Sequence, residues 1–322
     1  MLADRRYSWP MHDPLIELAT VPAVPLYAAV VAARARLAGA TADLLAIADG
    51  SLESPWRWRP TDRDDLDVRY GVYRIHERLE TAIGAIEAGR SAAPGEPIGP
   101  AVPALAAMAA ARWELHGVLT PLVVADRDSD PGGGEWTIRR TVGHIVSGQR
   151  SYAWYNAWYL HEGVVDRDTV RPPDGSMPPE PSEDDEAEGA PGVVATRLDQ
   201  VVDASIAANA GLDGAAMRVS ARWSGLPVTI DFRLGRYGSH IREHTVQIDK
   251  SLAMLGREPS EVERLVRLIL ATYGRLEAQL VGRSALELER VLAGGTSATG
   301  ILTAAVADVA ATAADVRAAS AG

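Results

Sequence analysis

Between Val68 and Ile83 the apolar residues Val68, Val72, Ile75, Leu79 and Ile83 recur three or four positions apart, the spacing of one face of an α-helix. The same period runs through most of the chain, and its interruptions are sharp. Helices are expected from just after Pro25 to about Ala48, stopped by Asp49-Gly50-Ser51, and from about Leu66 to Ala88. Others are expected at Pro103 to Val124, Thr137 to Leu160, Val193 to Asn209 and Gly235 to Leu255. Ser260 with Glu263 and Ser284 with Glu287 have capping-box spacing and open two more, and Leu302, Val306, Val309, Ala313 and Val316 outline a last one. One stretch alternates instead. Met217, Val219, Ala221 and Trp223 face one way, Ser224-Gly225-Leu226-Pro227 can turn the chain, and Val228, Ile230 and Phe232 alternate again. The expected fold is therefore all-α, a helical bundle with a small β-hairpin and additional helices at both ends.

Two breaks divide the chain. Gly89 to Pro103 holds four prolines and three glycines, which places a boundary there. Residues 1–98 are read as an N-terminal helical hairpin extension, 99–257 as the central bundle and 258–322 as a C-terminal helical extension. Inside the central part, Arg171 to Gly192 carries six prolines and seven carboxylates against one arginine, and is read as a solvated, mobile crossover. That crossover accounts for six of the net charge of -11, so the global acidity says little about a ligand site, while it does argue against nucleic acid. The absence of cysteine removes disulfides, iron-sulfur clusters, thiolate zinc sites and cysteine nucleophiles, so any metal must sit on His, Asp or Glu. Met1 to Pro14 shows no secretory pattern, and neither Leu18 to Ala33 nor Val291 to Ala307 reads as a membrane span. A cytoplasmic protein is expected. A single lysine, Lys250, among 32 basic residues reflects a GC-rich genome.

Seven histidines are present. His240 and His244 lie four apart in a helical segment, hence on one face about 6 Å apart along the axis, as a metal-ligating pair or as two solvated surface side chains. His144 sits early in another helix. Projection places Gly148, Ser151 and Tyr155, with Tyr152 and Tyr159 less closely, on its face, so one helix offers a histidine, a small-residue gap and a tyrosine wall. Alone, His144 also reads as a core histidine hydrogen-bonded to a neighbour. His240-Ile241-Arg242-Glu243-His244 further matches the inverted zinc-peptidase pattern, with Glu243 as general base. That reading needs a distant acidic ligand and a mixed α/β body, whereas this chain is mostly helical.

Trp136-Thr137 eight residues ahead of His144, and His240-Ile241-Arg242-Glu243-His244 followed by Gln247-Ile248, resemble the two motif helices of the DinB-like metal-binding four-helix bundles. That family includes mycothiol-dependent maleylpyruvate isomerases and related thiol transferases. The resemblance covers about residues 99 to 257 and leaves the first 98 unmatched. It implies a bundle in which His144, His240 and His244 hold one divalent ion, Zn or Ni, with Tyr152, Tyr155, Tyr159, Gln247 and Ser251 lining a pocket beside it. The expected activity is metal-dependent chemistry on a small molecule with a low-molecular-weight thiol, mycothiol being the natural co-substrate. A metal-dependent hydrolase and a non-catalytic scaffold stapled by the ion are the alternatives. The expected partners are a small-molecule substrate or thiol and a second copy of the chain in a homodimer, with no nucleic acid and no membrane.

Overall fold

The computed structural model describes residues 27–58, 66–162 and 171–321. Met1 to Pro14, His12 and most of the Leu18 to Ala33 stretch lie outside the described residues. Eight long helices dominate those that are described: α1 (Ala28–Leu45), α2 (Val68–Ala92), α3 (Val102–Leu119), α4 (Ile138–Glu162), α5 (Pro191–Asn209), α6 (Ile230–Met254), α7 (Glu261–Ala278) and α8 (Ala298–Ser320). The expected all-α class is what the chain adopts. Two small antiparallel pairs accompany the helices, β1 (Pro55–Trp56) with β2 (Leu66–Asp67) and β3 (Ser220–Trp223) with β4 (Leu226–Thr229).

The second pair is the expected hairpin, but shorter. Its turn is only Ser224-Gly225, both at positive φ, the backbone that a two-residue connection between right-twisted strands requires. Leu226 and Pro227 belong to β4, and Ile230 and Phe232, expected in the second strand, open α6 instead.

The apolar stripes assemble into two cores. In the first, Leu105, Met108 and Leu115 of α3 meet Ile138, Val142 and Ile145 of α4, Leu198 and Val201 of α5, and Leu234, Tyr237 and Ile241 of α6. In the second, Leu37 and Leu44 of α1, Ile75 and Leu79 of α2, Val266, Ile269 and Tyr273 of α7, and Leu302, Val306 and Val309 of α8 come together. The two terminal pieces thus pack on each other, although more than 150 residues separate them along the chain. α8 is long and apolar enough by composition to span a membrane, and its apolar stripe is buried against α1 and α2.

α3 belongs to both bundles. It packs on α6 on one side and on α7 on the other, and sends Trp113 into the second core. Close approach on both sides depends on glycine. A Cβ at Gly238 of α6 would lie 3.1 Å from the Met108 backbone nitrogen, and one at Gly274 of α7 would lie 2.7 Å from Trp113 Cβ. A buried charge network ties the same elements together. Arg112 of α3 is fully buried and donates to Asp203 of α5 at 2.6 Å and to Glu277 of α7. Arg34 of α1 donates to the same two carboxylates at 2.6–3.0 Å. Each of these charges is met by opposite charge on another helix, the condition for burying ions at tolerable cost.

The acidic crossover is largely exposed, as its composition leads one to expect, but one segment of it packs. Glu183–Ala187 forms a short helix capped reciprocally by Ser182 and Asp185. Glu186 is 1% exposed and is met by Arg150 of α4 and Arg197 of α5, and Ala187 is buried over Gly143 of α4. Two flanking arginines supply the compensation that a count of carboxylates cannot reveal.

Candidate metal centre

α4 and α6 run antiparallel across the first core. The side chain of Gln149 reaches the Tyr237 carbonyl, while Asn156, two turns further along α4, meets the Tyr237 hydroxyl and Arg233, one turn further back along α6. Ile138, Val142 and Ile145 turn inward, leaving His144 half-buried at the margin of their stripe. Tyr237, Ile241 and Ile248 do the same on α6, and place buried His240 and half-buried His244 one turn apart on a common face.

The three imidazoles converge. His240 Nε2 lies 3.3 Å from His144 Nε2 and 3.1 Å from His244 Nε2, and one nitrogen of each ring lies within 4.8 Å of the other two. Room for the central ring comes from Gly148, where a Cβ would sit 2.8 Å from His240 Cε1. Trp136 packs edge-on against His144 at 5.1 Å and Tyr152 against His240 at 5.2 Å between centroids.

The outer nitrogens decide what the inner ones offer. His144 Nδ1 donates to Glu183 Oε1 at 2.6 Å, and His244 Nδ1 donates to Gln247 Oε1 at 2.7 Å. With those protons on Nδ1, the remaining nitrogen of each ring, Nε2, is turned towards His240. A single proton on His240 Nε2 could serve one of them, not both, and its buried Nδ1 has no partner. Burial, followed by repulsion from His244 and His144, pushes His240 down to about 3, and burial likewise lowers His244. Around neutral pH these two rings are therefore neutral donors facing one point, the donor set that a borderline divalent ion requires.

Glu243, the general base of the peptidase reading, is turned away into a two-pronged ion pair with Arg236 at 2.6 and 2.8 Å. His116 bonds Asp199 and His76 pairs with Glu80, so neither joins the cluster. Tyr152, Tyr155 and Tyr159 line a cavity of about 770 Å³ alongside, together with Trp223, Arg233 and the Pro172 to Met177 part of the crossover. Gln247 and Ser251 are placed elsewhere. Gln247 orients His244, and Ser251 is fully buried with its hydroxyl 3.4 Å from the Trp136 carbonyl oxygen.

Glu183 and Arg233 were not singled out by the sequence, and Trp223 was read only as a strand residue. Glu183 stands in a run of acids that all look alike, and the ring and the guanidinium acquire meaning only when β3 folds back on α6. The single signal within reach was the capping spacing of Ser182 and Asp185, which marks an ordered helix start next to Glu183.

A family model described as the DinB superfamily matches residues 36–248, from within α1 to just past His244. The match therefore extends well into the first 98 residues, which the motifs alone left unmatched. Searches of curated proteins and of solved structures gave no match. With well over half of its length covered by the family model, the chain belongs to the DinB superfamily.

Proposed function

We propose that His144, His240 and His244 hold one divalent metal ion, Zn or Ni, through their Nε2 atoms, and that the site acts on a small molecule with a low-molecular-weight thiol of the mycothiol type. The observation that carries the reading is the convergence of three Nε2 atoms whose rings are oriented from outside by Glu183 and Gln247. When bound, the ion supplies a Lewis acid that favours the thiolate form of a thiol near neutral pH. The chain's own residues do the rest. Glu183 and Gln247 hold two rings in register, Gly148 leaves space for the third, and Trp136 and Tyr152 shield the cluster with apolar edges. Three protein donors leave coordination positions for substrate. An open, aromatic-walled cavity next to the cluster favours a ligand over a purely structural staple.

Elemental analysis of the purified protein tests the metal, with about one Zn or Ni per chain expected and loss expected in His144→Ala, His240→Ala and His244→Ala. Stoichiometric metal in all three variants would refute the site. Cobalt-substituted protein titrated with a small thiol then tests the chemistry through a sulfur-to-metal charge-transfer band. Hydrolase activity without that band would instead favour the metal-dependent hydrolase.

A further inference from the structure

Arg233 differs from Arg112, another deeply buried arginine of the central bundle. Arg112 is surrounded by carboxylates, whereas Arg233, 3% exposed, has no carboxylate in ion-pair range among the described residues. Its Nε donates to Asn156 Oδ1 at 2.6 Å and its Nη1 to the Arg222 carbonyl at 2.6 Å, while Nη2 is buried without any partner. The rings of Tyr155, Tyr159 and Trp223 stand around the guanidinium, each centroid 5.4 Å from Cζ. Aromatic faces attract a cation but leave its hydrogen-bonding capacity unmet. A buried guanidinium with an unused donor, kept without a counter-ion, costs stability that a bound anion would return. Arg233 also lines the 770 Å³ cavity, two helical turns before His240.

We propose that this cavity binds an organic carboxylate with a planar, apolar body, its oxyanion paired with the Arg233 guanidinium and its body against Tyr155, Tyr159 and Trp223. Tyr152, which touches both Trp223 and His240, then separates the anion end of the ligand from the histidine cluster. The inference rests on reading this part of the bundle as a small-molecule site, and not on the metal.

Calorimetric titration of the full-length protein with benzoate and with its neutral isostere benzamide is the test. Benzoate is expected to bind at least about ten-fold more tightly than benzamide, the scale of one charge-assisted contact in a buried setting. Arg233→Gln is expected to abolish that preference, and His240→Ala to keep it, which separates failure of this site from failure of the metal reading. A benzoate-induced change in tryptophan fluorescence should fall sharply in Trp223→Phe, with only Trp154 left among the tryptophans lining the cavity, a variant that keeps an aromatic ring and tests the location even if Arg233→Gln does not fold. Equal binding of the two probes, no benzoate binding at millimolar concentration, or an unchanged fluorescence response in Trp223→Phe would each overturn the proposal.

Discussion

Glu183 never touches the point where the three Nε2 atoms meet, yet its carboxylate sets which nitrogen of His144 carries the proton. Partners of this kind fix the tautomer and the ring plane, and their loss commonly costs 10- to 100-fold in metal affinity. Glu183→Gln keeps an acceptor oxygen but removes the charge, so zinc affinity measured against a chromophoric chelator is expected to drop about ten-fold. Unchanged affinity would mean that His144 is held by packing against Trp136 alone. The histidines were legible because an i, i+4 pair and a tryptophan ahead of a helical histidine are local patterns. The same helical projection marked Tyr152, Tyr155 and Tyr159. Arg233 was not legible, since an arginine on a helix is ordinarily a solvated residue, and only the fold places three rings and no carboxylate around it.

At the scale of elements, the long helices follow directly from apolar period and breakers, and the crossover does not. Its prolines and acids describe a chain unable to bury itself, until Arg150 and Arg197 reach it from α4 and α5 and close over Glu186. The distinction can be measured. Removing one member of a buried ion pair strands the other, at a cost of about 3 kcal/mol or more. Glu186→Ala is therefore expected to release the short helix Glu183–Ala187 from α4, and brief proteolysis should then cut between residues 183 and 188, where the wild-type protein is expected to resist. The metal affinity of this variant should fall along with that of Glu183→Gln, because Glu183 rides on the same helical turns. If the wild-type chain is cut there as readily as the variant, the crossover does not pack as described.

For the whole molecule, the instructive feature is that residues before 99 and after 257 build one core, with α3 shared between it and the histidine-bearing bundle. Local periodicity reports which face of a helix is buried but not which distant helix covers it, so the terminal pieces read as separate extensions. What joins the bundles is charge as well as packing. Arg34, Arg112, Asp203 and Glu277 bridge α1, α3, α5 and α7, and Asp199 extends the network to His116 at 2.9 Å. This network gives the fold a definite acid sensitivity. Burial alone would raise the Asp199 carboxyl, but His116 and Arg112 beside it draw it down to about 2 from an ordinary value of 3.8. Burial would likewise raise Glu277, and Arg112 and Arg34 hold it below its usual range. A carboxyl whose folded pKa is depressed contributes stability that is complete above its unfolded value and is lost as pH falls from there through the folded value. For Asp199 the loss therefore runs from about pH 4 down to about pH 2. Asp199→Asn keeps the shape and an acceptor for His116 but cannot titrate. Its melting temperature should lie below that of the wild type at pH 6, by the equivalent of on the order of 1 kcal/mol. The gap should narrow through the acid window and close only below about pH 2, where the wild-type carboxyl is protonated as well. Thermal melts of both proteins from pH 6 to pH 2 decide the matter: a difference that stays constant across that range would show that Asp199 stabilises the junction by shape and not by charge.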